Sequence, residues 1–194
     1  QDGLVQETVD RLLAIAGTFD DNGEMEVWTF NQGYSTPPVA RAADFGSYVK
    51  KEILDNPKVD KWGGTNYAPV MNAVLDTYFR GASVVTSGGL FGLFKKTEQQ
   101  APKDTHIPAL CLFITDGDNS DAAEAERILR EAQKYQIYWQ LIGIGNDTDF
   151  RFIKKMADDL PNAGFCHLPN LRVSDDAIYE ALLTTELCDW LRKF

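Results

Sequence analysis

A group of oxygen-bearing side chains follows the most apolar segment of the chain. Residues 109–115 are almost continuously hydrophobic and run into Thr115-Asp116-Gly117-Asp118. Apolar runs of this kind are typical of buried parallel strands, and doubly wound sheets bind ligands at the carboxyl ends of their strands. The pattern therefore predicts that Asp116 presents a carboxylate at a binding edge. An ordinary Asp-Gly turn explains the same residues equally well at this point.

This acidic loop partly fits two known arrangements. An EF-hand calcium loop beginning at Asp116 would need glycine where Asp121 stands and a bidentate glutamate where Arg127 stands, so it is excluded. A Mg²⁺-dependent phosphatase of the haloacid-dehalogenase type would use Asp116 as its nucleophile and Asp118 as the second aspartate. Such an enzyme also needs an acidic pair at another strand end, whereas the pair at 158–159 closes a predicted helix. The phosphatase is kept as the enzymatic alternative.

A second polar segment lies just before a predicted helix. Gly63-Gly64-Thr65-Asn66 precedes the apolar periodicity of residues 67–78, and Thr65 or Asn66 is the natural N-cap. Glycine at position 64 lets the backbone approach a ligand closely. Taken alone, this segment predicts a helix cap rather than a site.

Hydrophobic periodicity predicts the helices and strands that position both segments. The predicted helices cover residues 4–19, 45–53, 67–78, 124–135, 150–160 and 175–191, and the predicted strands cover 25–30, 109–115, 137–144 and 164–168. Their alternation predicts an α/β fold, with a Rossmann-like, doubly wound, mostly parallel sheet and helices on both faces. We expect one domain over residues 1–194.

An insertion at about residues 81–107 interrupts this alternation. Its glycine-rich apolar part contains Leu90, Phe91 and Phe94 and is followed by a polar segment at 95–104. A long apolar loop is more often an ordered flap or a partner contact than a linker, and a disordered excursion is the alternative. Leu90, Phe91 and Phe94 are therefore candidate partner-contact residues.

Charge and cysteine content narrow the functional classes. The 194 residues include 29 acidic and 19 basic side chains, and the net charge of -10 disfavours nucleic acid and anionic membranes as partners. No run reaches the roughly 18 apolar residues of a membrane span. The three cysteines lack CxxC spacing, which indicates reduced thiols and a cytoplasmic setting. Catalysis is not expected, because neither a nucleophile–histidine arrangement nor a phosphate-binding loop is evident.

Two segments together resemble the von Willebrand factor A (vWA) family. Residues 62–71, Trp-Gly-Gly-Thr-Asn-Tyr-Ala-Pro-Val-Met, and residues 114–117, Ile-Thr-Asp-Gly, look like the second and third motifs of its metal-ion-dependent adhesion site. The segment at 143–150 also resembles the vWA pattern, and those at 158–165 and 189–191 are similar to vWA proteins of the tellurium-resistance type. The likeness spans nearly the whole chain.

This resemblance implies a divalent-cation site built from two loops. Thr65 matches the family's threonine and would bind directly or through water, and Asp116 matches its aspartate and would bind through water. The flanking site residues are Gly64, Asn66, Gly117 and Asp118. Hydroxyl and carboxylate oxygens suit Mg²⁺, Mn²⁺ or Ca²⁺, and an acidic residue of a protein partner can fill an open position. The expected function is cation-dependent protein binding in a bacterial tellurium-resistance or stress-response system.

The first family motif, Asp-x-Ser-x-Ser, has no counterpart in the sequence. A doubly wound fold begins with a strand, whereas this sequence passes from Gln1-Asp2-Gly3 directly into a predicted helix. We therefore expect a preceding strand to carry that motif. Without it, we expect poor cation affinity and a gap in the sheet between 25–30 and 109–115. A module with a vestigial cation site that binds through residues 88–94 is the third hypothesis.

Overall fold

The computed structural model describes residues 4–19, 23–88, 94–102, 107–145, 149–169 and 172–194. The α-helices in these ranges are α1 (Leu4–Phe19), α2 (Ala68–Leu75), α3 (Ala122–Ala132), α4 (Arg151–Asp159), α5 (Asp175–Leu182) and α6 (Thr185–Leu191). The strands are β1 (Glu24–Met25), β2 (Thr29–Phe30), β3 (Tyr34–Ser35), β4 (Ala40–Arg41), β5 (Ala82–Gly88), β6 (Phe94–Gln100), β7 (Ala109–Thr115), β8 (Ile137–Ile144) and β9 (Ala163–Leu168). A 3-10 turn covers Ala42–Asp44, and π-helical turns cover Val49–Leu54 and Asp76–Arg80.

The main sheet is parallel, with the strand order β7-β8-β9. Thr115 at the end of β7 is level with Gly143 of β8, and Gly143 is level with His167 of β9. The first seven residues of β8 are buried, as expected of a strand with neighbours on both sides and helices on both faces. The strands predicted at 109–115 and 137–144 are confirmed with those limits.

Helices cover both faces of this sheet. Successive side chains of a strand point in opposite directions, so neighbouring residues of β8 contact different helices. Trp139 and Leu141 pack with buried residues of α2, α3 and α4 in one cluster. Ile142 packs with Leu12 of α1 and with α5, and Tyr138 packs with α6. The structure is therefore a mixed α/β fold with a three-stranded parallel sheet between helices, which agrees with the coarse fold prediction.

The N-terminal part departs from the prediction. The single strand expected at 25–30 is wrong: β1 and β2 are two-residue strands that pair antiparallel with β4 and β3. β2 pairs with β3 because the chain reverses between them, at a turn in which the Asn31 side chain accepts a hydrogen bond from the Gly33 N–H at 2.8 Å. None of the described strands pairs with the edge of β7 that faces away from β8.

Two predicted helices are also divided or shortened. The helix expected at 45–53 forms as the π-helical turn Val49–Leu54, whose first N–H donates to the Gln6 side chain of α1 at 2.6 Å. The helix expected at 175–191 is interrupted, because the Thr184 side chain accepts from the Leu187 N–H at 3.3 Å and starts α6 anew.

The insertion expected at 81–107 contains paired strands. β5 and β6 form an antiparallel ladder from Ala82 opposite Gln100 to Gly88 opposite Phe94. Phe94 opens β6, whereas Leu90 and Phe91 lie outside the described residues. Within those residues, none of the helices is long and apolar enough to cross a membrane.

Gly164 in β9 tests the packing of the sheet face that carries Tyr138 and contacts α6. A Cβ atom at this position would lie 2.5 Å from the Tyr138 hydroxyl oxygen and 3.2 Å from Gln140 Oε1, and both side chains are fully buried. We expect Gly164→Ala to lower the free energy of unfolding by about 2 kcal/mol, because the closely packed neighbours must shift.

Tyr138→Phe removes the clashing oxygen, so the double variant should lose less stability than the sum of the two single variants. Urea denaturation of the four proteins measures this coupling. A Gly164→Ala variant as stable as the parent chain would contradict the packing of β8 against β9.

Candidate cation site

Asp116 and Asp118 lie at the carboxyl end of β7, as the sequence predicted. Thr115, the last residue of β7, is buried, whereas Asp116 and Asp118 are exposed in the loop that leads to α3. Parallel strands present their carboxyl ends at one sheet edge, where doubly wound folds bind ligands. Both carboxylates are therefore exposed to solvent at that edge.

The loop that carries Thr65 is bonded to this acidic loop. The Thr65 carbonyl accepts a hydrogen bond from the Ser120 N–H at 2.9 Å. The Thr65 side chain is half-buried, and its hydroxyl makes no hydrogen bond to another described residue. The two loops are thus in direct contact, and the threonine hydroxyl is not used to hold them together.

Asp121 provides a carboxylate clamp, which we define as its hydrogen bonds to residues 67 and 68. Asp121 Oδ1 accepts from the Tyr67 N–H at 2.9 Å, and Oδ2 accepts from the Ala68 N–H at 2.7 Å. These N–H groups lie at the start of α2, where helical partners are lacking and negative charge is favourable. Asn119 Nδ2 also donates to Asp121 Oδ1 at 2.7 Å.

The start of α2 differs from the one predicted from the sequence. Thr65 or Asn66 was expected to be the N-cap of α2, but that position is held by Tyr67, whose side chain does not cap the helix. Asp121 takes over the capping function from a loop more than 50 residues away in the sequence. Thr65 is thereby free of the structural function that the helix-cap interpretation assigned to it.

Tyr67 adds a second link between the loops. Its hydroxyl donates to the Gly117 carbonyl and shares a hydrogen bond with Thr115 Oγ1 at 2.9 Å. Its ring lies 4.9 Å from that of Phe113, measured between ring centroids. Burial raises the pKa of Tyr67 to about 12, although the Thr115 hydrogen bond lowers it, and Asp118 is the largest of the nearby charges that raise it further. The phenol therefore remains protonated and able to donate near neutral pH.

A third loop, at residues 31–33, supports the Thr65 loop from its other side. The Asn31 carbonyl accepts the Asn66 N–H at 2.7 Å, and Asn31 Nδ2 donates to the Trp62 carbonyl at 2.7 Å. Asn66 Nδ2 donates to the Gln32 carbonyl at 3.2 Å. Asn66, predicted as a flanking residue, is thus a link between loops.

The glycines of the Thr65 loop have different functions. Gly63 has φ 137°, a conformation that side chains other than glycine rarely adopt. A Cβ atom on Gly64 would lie 3.5 Å from Gln32, which is an ordinary contact. The backbone requirement for glycine is therefore clear at Gly63, next to the residue named by the sequence.

The loop after β8 contains a residue in an uncommon conformation. Phe150 has φ 49° and is almost completely buried. A Cβ atom on Gly143 would lie 2.8 Å from the Phe150 ring, so glycine at that position provides space for this packing. Asn146, part of the segment that the sequence linked to the vWA pattern, lies outside the described residues.

The donors suit a hard divalent cation. Thr65 offers a hydroxyl, and Asp116 and Asp118 offer exposed carboxylates. Among the described residues, no three histidine, cysteine, aspartate or glutamate side chains are grouped to hold a metal. Asp121 is directed to the start of α2 instead. Such a donor set fits a cation that keeps several water ligands, as Mg²⁺ does in proteins.

The fold and these loops are consistent with a vWA domain: a parallel sheet lies between helices, and a Gly-Gly-Thr-Asn loop is bonded to a Thr-Asp-Gly strand end. The family model vWA-TerF-like, described as the vWA found in the TerF C terminus, matches residues 1–91 and 92–194. The chain belongs to this family, which confirms the predicted relationship.

A relative in Bacillus subtilis (strain 168) is named Uncharacterized protein YcbR. It is 32% identical over 198 residues, and the match covers 100% of this chain and 71% of the relative. Its name describes no activity.

Removing the Asp121 carboxylate tests the clamp. We expect Asp121→Ala to lower the free energy of unfolding by about 2 kcal/mol, because two N–H groups lose a charged acceptor. Asp121→Asn keeps one acceptor oxygen and should lose less. Thermal and urea denaturation measure both effects.

Asp118→Ala is the matched control, since Asp118 is exposed in the same loop. Its unfolding free energy should change by less than about 0.5 kcal/mol. Equal losses in Asp118→Ala and Asp121→Ala would mean that loop charge, rather than the clamp, determines stability.

Proposed function

We propose that this chain is a divalent-cation-dependent protein-binding module. Thr65 and Asp116 would hold the cation, with Mg²⁺ as the first candidate and Mn²⁺ or Ca²⁺ as alternatives, and an acidic residue of a protein partner would complete its coordination. The observation that carries this proposal is the Thr65 loop bonded to the strand end that bears Asp116.

Preorganisation of the loops supports a binding site at this edge. The Ser120 and Asp121 hydrogen bonds fix the Thr65 backbone relative to the acidic loop without using the Thr65 hydroxyl. A cation that binds there therefore does not have to order the two loops first. Binding sites that are ordered in advance lose less free energy when the ligand binds.

The electrostatics favour a cation followed by an anionic partner. Asp116 and Asp118 are exposed at the site, on a chain with net charge -10. Without a cation, this surface repels a carboxylate, and with one it can bind a carboxylate. The partner should therefore bind only when the cation is present.

We also propose that the module is not an enzyme. The phosphatase alternative needs a second acidic pair beside Asp116, but Asp159 of the 158–159 pair bonds to Arg130 at 2.8 Å on the α3–α4 surface. Burial raises the pKa of the Cys111 thiol to about 12 and that of Cys166 to about 11, which disfavours a nucleophilic thiolate. Neither of the alternative hypotheses is favoured by a specific observation.

The biological setting is part of the proposal. The family description refers to TerF, and we infer that binding serves a tellurium-resistance or related stress response. Cys111, Cys166 and Cys188 are free thiols, which fits a reducing compartment such as the cytoplasm.

Cation binding is tested by calorimetric titration of the chain with Mg²⁺ and Mn²⁺. We expect weak saturable binding that Thr65→Ala and Asp116→Ala each reduce at least about tenfold, since each variant removes a ligand or the group that orients a ligand water. Titration of the longer Bacillus subtilis relative provides an independent comparison.

Thr185→Ala and Asp176→Ala are the matched controls, because both residues are exposed at the starts of other helices. They should bind the cation like the parent chain. Cation binding that is equally strong in all four variants would place the ions elsewhere and contradict the proposed site.

A further inference from the structure

Trp62 has the largest exposed fraction, 84%, among the large hydrophobic side chains whose burial the structure describes. Its backbone is nevertheless fixed: its carbonyl accepts from Asn31 at 2.7 Å, and its N–H donates to Asp60 Oδ1 at 3.2 Å. Tryptophan is strongly enriched among residues that dominate protein-binding energies. Trp62 lies on the same loop as Thr65, so an aromatic contact is available beside the proposed cation site.

A cleft of about 880 Å³ lies close to this loop. Tyr34, Pro38 and Pro57 are in its lining, and Tyr34 is half exposed. Ser35, also in the lining, accepts a hydrogen bond from the Asp60 N–H at 3.2 Å. The cleft is therefore joined directly to the loop that carries Trp62. Tyr34 and the two prolines give part of the cleft an apolar surface, against which the apolar residues of an extended peptide segment can pack.

The cleft lining carries two lysines and two acidic side chains, and one of the lysines is left without an ion pair among the described residues. Lys51 pairs with Glu52 at 2.6 Å, and Asp55 pairs with Lys50 at 2.6 Å. Lys58 is exposed in the lining and forms no ion pair with another described residue. Its ammonium group can therefore pair with a partner carboxylate.

The neighbouring lysine provides a useful contrast. The Lys61 ammonium group donates hydrogen bonds to the carbonyls of Asn56 and Val59, at 2.9 and 3.2 Å. It therefore stabilises the turn beside the cleft, whereas Lys58 is available to a partner. The loop from Lys58 through Trp62 to Thr65 thus presents an ammonium group, an aromatic ring and a hydroxyl group, in that order along the chain.

We infer that the partner is an extended acidic peptide segment that crosses Trp62 and enters this cleft. One of its carboxylates completes the cation coordination at Thr65 and Asp116, and a second faces Lys58. Apolar residues between the two carboxylates cover Trp62. This inference rests on the proposed cation-dependent function and specifies the partner of that site.

Defined peptide pools test the inference by fluorescence anisotropy in the presence of Mg²⁺. The first pool contains short labelled peptides with two fixed aspartates separated by random apolar residues and proline. A second pool has alanine in place of one of the two aspartates, so that a single carboxylate is left for the cation. A third pool has lysine in place of both. We expect affinity to fall in that order, with EDTA abolishing binding of the first pool.

Surface variants separate the three contacts. Trp62→Ala should weaken binding of the first pool about tenfold and Trp62→Phe less, as expected for an aromatic binding contact. Lys58→Glu should lower the affinity for the first pool several-fold and lower the affinity for the second pool less. The matched controls are Phe194→Ala and Lys134→Glu, because both residues are exposed and distant in sequence from the loop at 58–65. Circular dichroism melting checks that each variant is folded.

The outcomes distinguish the surface from the cation site. If EDTA and Thr65→Ala abolish binding while Trp62→Ala and Lys58→Glu bind like the parent chain, the peptide path is wrong and the cation site stands. If binding survives both EDTA and Thr65→Ala, the proposed function itself is wrong. If the two-aspartate pool shows no saturable binding, the acidic-peptide inference is overturned.

Discussion

The Asp121 carboxylate joins the two parts of the chain on which the candidate site depends. It accepts hydrogen bonds from the first N–H groups at the start of α2, at 2.9 and 2.7 Å, while it belongs to the loop that leads from β7 to α3. Helix starts carry unpaired N–H groups and partial positive charge, so a carboxylate is a favourable partner there. Because this acceptor comes from the opposite loop, capping the helix also fixes the position of Thr65 relative to the strand end that bears Asp116.

This arrangement separates structural from functional groups. Asp121 and Tyr67 hold the loops together from half-buried and buried positions, while Asp116, Asp118 and Trp62 are exposed. The groups that organise the edge are therefore different from the exposed groups that can face a ligand. The parallel sheet brings the loops after β7 and β8 to one edge, since Thr115, the last residue of β7, is level with Gly143, one residue before the end of β8.

The sequence predicted the regular core well because its signals there are local. Continuous apolar runs identified β7 and β8, and helical periodicity identified α1 with its limits Leu4–Phe19. The short strands β1 and β2 were predicted as one strand at 25–30, since their pairing depends on the Asn31 turn and on the more distant strand β4.

The candidate site was predicted as two segments, but not the bonds between them. Asp121 was considered only as a position in a calcium loop, although its carboxylate caps a helix that begins at Ala68. No local pattern identifies a cap supplied from another loop. Trp62 was noted only as part of a family motif, because exposure is a property of the folded chain. These omissions concern long-range contacts, which a single sequence does not specify.

A divalent cation that binds between the Thr65 loop and the end of β7 can be located by its effect on nearby nuclei. Mn²⁺ titration followed by nuclear magnetic resonance tests this position directly, because the paramagnetic ion broadens the amide signals nearest to it. We predict that signals of residues 62–67 and 115–121 broaden first, and that Asp121→Ala reduces this selectivity. Broadening that begins instead at the charged surface of α3 and α4, with residues 62–67 unaffected, would contradict the proposed site.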